Sequence, residues 1–110
     1  MFTGAAAVFN GPVNFAYAYA MSKAATHALA LQLAQREEIP EDADVVTILP
    51  QVIDTPANRN DMPDADHDTW APPDKIAAMV RQWAEGENRP LNGSYAQIDY
   101  KNGSVFPTFL

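Results

Sequence analysis

The sequence predicts an α/β fold: a small parallel sheet packed with helices and closed, towards its C-terminus, by an antiparallel hairpin. Three observations carry that prediction. An apolar run at Phe2–Phe9 and a β-branched run at Ala43–Leu49 bracket an alanine- and leucine-rich stretch, Phe15–Arg36, that contains neither Gly nor Pro. Strand, helix and strand at that spacing make a βαβ unit, with parallel strands and a right-handed crossover. Tyr95–Tyr100 and Val105–Leu110 are joined through Asn102-Gly103, the strongest two-residue hairpin signal.

Each element has its own local reason. Phe2–Phe9 is apolar on both faces and stops at the turn cluster Asn10-Gly11-Pro12, so it reads as a buried strand. In the helix Phe15–Arg36, Tyr19, Lys23, Thr26 and Ala30 share one face, and few positions are clearly polar. A helix that is apolar nearly all round is covered on more than one side, here by a sheet and by a second helix from this chain or a partner subunit. His27 reads as a packed or surface imidazole with no chemical role. Glu37–Asp42 is a solvated connector. Ala43–Leu49 is the second strand, and Pro50, which has no N–H for the ladder, ends it. The polar stretch Asn58–Trp70 reads as a long loop, with His67 a solvated residue among Asp64, Asp66 and Asp68 and no metal site. Pro72-Pro73-Asp74 starts a second helix, Ile76, Met79, Val80 and Trp83 form its core stripe, and Gly86 stops it. Val105–Leu110 must lie at a sheet edge to accommodate Pro107.

Composition narrows the function classes. The 110 residues suffice for one modest domain, and almost half are apolar. The net charge is −7 with no basic stripe, which argues against nucleic acid, whose phosphates need clustered Lys and Arg. There is no cysteine, hence no disulfide or thiol catalysis, in keeping with a cytoplasmic protein. No apolar run approaches the ~20 residues of a membrane span, and Met1–Phe9 lacks the basic lead-in of a signal peptide.

The chemistry centres on Tyr19-Ala20-Met21-Ser22-Lys23. Helical positions four apart lie one above the other, so the phenol and the ammonium are neighbours. A cation beside a phenol favours the phenolate, which suits a tyrosine to proton transfer near neutral pH. In an open parallel sheet, ligands bind beyond the carboxyl ends of the strands. The stretch before Tyr19 and the turn Pro50–Thr55 converge there.

These residues resemble a known family. Y-x-x-x-K on a helix after one strand, then a proline-led turn carrying Thr55 after the next, looks like the C-terminal half of a short-chain dehydrogenase/reductase, a Rossmann-like doubly wound parallel sheet. L-P-x-x-x-D-T-P-x-N-R-x-x-M-P-x-A-D (Leu49–Asp66), N-R-P-x-x-G-S (Asn88–Ser94) and the terminal hairpin resemble the dihydropteridine reductases, over nearly all of the chain. Most of the superfamily has a serine thirteen positions before the tyrosine; here Ala6 stands there, as in this family. The resemblance implies reduction of a quinonoid dihydropteridine by NADH or NADPH in a cytoplasmic homodimer. Tyr19 would supply a proton, Lys23 would support it and bond the nicotinamide ribose, and Pro50, Val52 and Thr55 would hold the carboxamide.

The five glycines do not fit the family's glycine-rich phosphate turn. The chain is therefore expected to be the C-terminal catalytic part of such a domain, a fragment without its dinucleotide-binding half and inactive alone. Two other readings stay open: a piece of another short-chain reductase acting on a carbonyl, and a non-catalytic module that docks through its long helix.

Overall fold

The computed structural model describes residues 1–14 and 16–110. Four strands form one sheet in the order β1 (Phe2–Thr3), β2 (Thr47–Pro50), β3 (Tyr95–Lys101), β4 (Ser104–Phe109). The first three are parallel: Phe2 pairs with Thr47, Thr3 with Ile48, and Thr47 through Pro50 with Tyr95 through Ile98. β4 returns antiparallel along β3 and forms one edge, with Pro107 opposite Ile98. The α/β class, the parallel sheet and the terminal hairpin are thus as the sequence predicts.

The helices are α1 (Ala6–Asn10), α2 (Tyr17–Ala34), α3 (Pro56–Asp61) and α4 (Pro73–Ala84), with a single 3₁₀ turn at His67–Thr69. Side chains alternate across a strand, and the two sheet faces divide accordingly. Val46, Ile48, Ala96 and Ile98 join Ile76, Met79 and Trp83 of α4 in the main core. The opposite face meets α2 through His27, Ala30 and Ala34, all buried. The α4 stripe read from the sequence is therefore core.

Three sequence readings need correction. Phe2–Phe9 is not one strand: pairing stops at Thr3, and Ala6–Asn10 is helical. Periodicity cannot separate a short apolar strand from a buried helix, and the run Ala5–Ala7 favours helix once the ladder ends at Gly4. The second strand starts at Thr47 rather than Ala43, because Val45 already spends its N–H on the Asn92 side chain (2.8 Å). Asn58–Trp70 is not structureless: Thr55 Oγ1 accepts from Asn58 N (3.2 Å) and caps α3, with Pro56 at its first position. Pro50 is the last residue of β2, as its missing donor requires. The long helix ends at Ala34 rather than Arg36, and its expected start at Phe15 lies outside the described residues.

The junction of β1, α1 and α2 turns on one glycine. A Cβ on Gly4 would run into Nε2 of His27 and lie 2.5 Å from its Cδ2 and 2.7 Å from Leu49 Cδ2. Both neighbours are held in the interior, so neither moves cheaply. Gly4→Ala is expected to destabilise the chain by about 1–3 kcal/mol, the usual cost of overpacking a core. Urea unfolding followed by circular dichroism measures it, and an unchanged midpoint would show that the His27 ring can yield.

Candidate active site at the carboxyl ends of the strands

The parallel strands all end on the same side; Pro50 closes β2 there and Lys23 reaches the last residue of β1. Tyr19 and Lys23 do stack on α2: Lys23 Nζ lies 5.8 Å from the centroid of the Tyr19 ring, within cation–π range. Lys23 also donates to the carbonyl of Thr3 (3.0 Å), the last residue of β1. That bond anchors the ammonium to the sheet mouth and leaves two of its three protons for other acceptors. Tyr19 is 49% exposed, so its phenol remains accessible.

The placement of α2 is set one turn further along. His27 Nε2 accepts from Ala5 N (3.1 Å), and the hydroxyl of Tyr95 donates to His27 O (2.7 Å). Phe9 packs on both rings, 5.6 Å from His27 and 4.8 Å from Tyr95. The imidazole is thus a packed, structural group. Burial, and then the charge of Lys23, hold its pKa below the ordinary histidine value. Burial likewise pushes the Tyr95 hydroxyl up.

The turn after β2 is organised by its own side chains. Val52 O accepts from Ala71 N (3.2 Å), and Asp54 N donates to Ala71 O (2.9 Å). Arg59 forks onto both oxygens of Asp54 at 2.5 and 2.9 Å, which holds that carboxyl below its usual range. Asn58 Nδ2 donates to Ile53 O (2.8 Å). The D-T-P-x-N-R pattern is therefore a folding device as much as a signature. The Thr55 hydroxyl is occupied as an acceptor by its capping bond and keeps its proton to donate. His67 donates through Nε2 to Met62 O (2.8 Å) and packs on Trp70 at 4.4 Å, latching the long loop.

Two cavities open at this end. One, of about 450 Å³, is lined by Gln51, Val52, Trp70, Asp99, Tyr100 and Phe106 among others. A smaller one, of about 260 Å³, is lined by Ala6, Ala7, Asn10, Gln51, Val52 and Gln97. Val52 reaches both, and Ala6 places a methyl group in the second. Tyr19, Lys23, Pro50 and Thr55 line neither. The sequence reading missed Asn10, Gln51, Gln97 and Asp99, which form a hydrogen-bonded chain across this mouth. A signal was there: Gln97 and Asp99 alternate with the buried Ala96 and Ile98 in a strand that otherwise looks like core.

A mostly parallel open sheet with a tyrosine–lysine pair near the end of β1 and two cavities at its carboxyl ends defines an α/β protein of the class whose ligands bind beyond the strand termini. The comparison with curated proteins finds one particular relative. Over 102 residues the chain is 36% identical to a dihydropteridine reductase of Dictyostelium discoideum. The alignment takes in 91% of this chain and 44% of that protein, so the chain spans less than half the length of its relative. The resemblance to dihydropteridine reductase is thus one of homology along nearly the whole chain. No family model matches the chain. Among the described residues, no helix is long and apolar enough to cross a membrane.

The buried histidine gives a sign for the pH dependence. With its folded pKa lowered, the unfolded chain binds more protons than the folded one just below pH ~6.5, the unperturbed histidine value. Stability is fully present above that pH and falls as the pH drops towards the folded pKa. Urea midpoints between pH 7.5 and 5 should fall for the wild type, and the fall should shrink in His27→Asn. A midpoint that rises on acidification would contradict a neutral, buried imidazole.

Proposed function

We propose that this chain is the proton-donating part of an oxidoreductase that reduces a quinonoid dihydropteridine to its tetrahydro form with NADH or NADPH. The observation that carries the reading is the Lys23 ammonium, stacked on Tyr19 and tied to the end of β1. The kinship with a dihydropteridine reductase supports the substrate class.

The donor set fits the nicotinamide end of such a cofactor. Lys23 has protons left for ribose hydroxyls and Thr55 has one for an amide oxygen, while Pro50 and Val52 stand in the turn that the resemblance assigns to the carboxamide. A bound nicotinamide supplies the hydride. What the chain supplies is positioning and a proton: the Tyr19 phenol gives its proton to the reduced ring, and Lys23 stabilises the phenolate left behind. The apolar Ala6 leaves no hydroxyl there to compete for the substrate.

The same reading makes the working protein a cytoplasmic homodimer. Tyr17, Met21, Ala24, Ala28 and Leu31 form one exposed stripe along α2, with Met21 73% and Tyr17 69% exposed. A stripe of that length on a helix otherwise docked to a sheet suits a second copy of the same helix. Met21→Lys is expected to convert a dimer to a monomer in sedimentation velocity. A wild-type monomer at tens of micromolar would sink the dimer.

The proton role is tested in a chimera in which this chain replaces the aligned stretch of the Dictyostelium enzyme. Tyr19→Phe should lower kcat at least about 100-fold, the usual range for losing a general acid, with the KM for NADH changed less than about twofold. Unchanged kcat would remove Tyr19 as proton source.

A further inference from the structure

β3 runs on past the end of its parallel neighbour. Pro50, the last residue of β2, pairs with Ile98, while β3 continues to Lys101. After Pro50 the chain turns away and Ile53 bridges to Ala71 instead. The other flank of β3 stays paired to the end, with Asp99 opposite Phe106, Tyr100 opposite Val105 and Lys101 opposite Ser104. In an antiparallel ladder, hydrogen-bonded and non-hydrogen-bonded pairs alternate. Leu110 N donates to Tyr95 O (3.0 Å), so Tyr95 is in the bonded set, and with it Gln97, Asp99 and Lys101. Pro107, which has no N–H, then falls opposite Ile98 in the other set, as that alternation requires. Tyr100 belongs to this second set. Its N–H and C=O both point away from β4, into the flank that β2 has vacated. Among the described residues, neither group has a backbone partner on that flank. The cavity of about 450 Å³ lies there, lined by Gln51 and Val52 after β2, by Trp70, and by Asp99, Tyr100 and Phe106 of the hairpin. A strand's peptide groups cannot turn over as a side-chain amide can, so this donor and this acceptor are fixed in direction.

We propose that the open stretch of β3 is a binding site for the lactam edge of a flat heterocycle. The ring N–H donates to Tyr100 O, and the neighbouring ring carbonyl accepts from Tyr100 N–H. Trp70 and Phe106 supply apolar surface for the rest of the ring. The ligand extends the sheet by one amide, as an added strand would. The proposal rests on the dihydropteridine reading for its particular ligand, since a pterin carries a lactam N–H beside a carbonyl. Both bonds form only with an edge that has donor and acceptor side by side. Methylating the ring nitrogen removes one bond and sets a methyl group against Tyr100 O, which is left unpaired.

The test titrates the ¹⁵N-labelled 110-residue chain with 6-methylpterin and 3-methylpterin. These are isomers, and only the first keeps its lactam N–H. With 6-methylpterin the backbone amide signal of Tyr100 should move downfield and saturate. Its affinity should be about tenfold above that of 3-methylpterin, the usual effect of one net hydrogen bond. Phe106 is 41% exposed on the edge strand, so Phe106→Ala leaves the core intact. That variant should weaken both isomers about threefold or more and leave their ratio unchanged. Equal affinity for the isomers, a preference without the Tyr100 shift, or wild-type affinities in Phe106→Ala would overturn the proposal. 2-Pyridone and N-methyl-2-pyridone carry the same contrast on a single ring. Preference for 2-pyridone with the Tyr100 shift, and no binding of either pterin, upholds the lactam site and rejects the pterin. No saturable shift with any of the four ligands rejects the site. Unchanged kcat in the Tyr19→Phe chimera, with the isomer preference intact, rejects the proton role alone.

Discussion

The imidazole of His27 is where the strand mouth is assembled. It receives the Ala5 N–H at the point where the chain leaves β1, presses on the bare Cα of Gly4, and lies on the same helix face that brings Lys23 to Thr3. The Tyr95 hydroxyl closes the arrangement by donating to the His27 carbonyl, so the first and third parallel strands grip α2 at one point. Without that grip, Lys23 and Tyr19 would still be one turn apart on a helix. Nothing would then hold the pair against the end of β1. The constraint is steric and polar together: only glycine makes room for the ring, and only a neutral ring nitrogen can accept the backbone N–H.

Much of what carries the resemblance serves the fold. Arg89 of N-R-P-x-x-G-S caps α4 by donating to the carbonyls of Trp83 (3.0 Å) and Ala84 (3.3 Å), and Gly93 adopts a left-handed φ of 84° beside Ala34. Between them, Asn92 joins the end of α2 to the approach of β2, donating to Ala34 O and accepting from Val45 N, both at 2.8 Å. The Leu49–Asp66 pattern likewise builds a capped helix and an ion pair. Polar residues placed at chain reversals satisfy backbone groups that no ladder reaches, which is why they form a recognisable pattern without touching a ligand. The exposed Arg59–Asp54 pair contributes little stability, since such pairs are well screened. Its use is to fix the path of the turn beside Val52.

The site has two halves of different character. The Tyr19–Lys23 side is a cation and a phenol in contact, suited to moving a proton. The Gln51–Asp99 side is a row of amides bonded to one carboxylate. Both open at the carboxyl ends of the strands, where neighbouring connections diverge and leave space.

The sequence alone determined the helix face that carries Tyr19 and Lys23, the α4 core stripe, the parallel β1–β2 pair and the hairpin at Asn102-Gly103. Each is a matter of local period or turn chemistry, set by residues a few positions apart. The tertiary structure decided the rest. It cut Phe2–Phe9 into two strand residues and a helix, because β1 leaves the ladder after the Thr3–Ile48 pair while β2 runs on to Pro50, which no property of the run itself reveals. It made a packed histidine the keystone and gathered Asn10, Gln51, Gln97 and Asp99 into one chain, across as many as 87 positions of sequence. Hydrogen bonds between residues so far apart depend on how the strands are laid side by side, and a one-dimensional pattern does not carry that order.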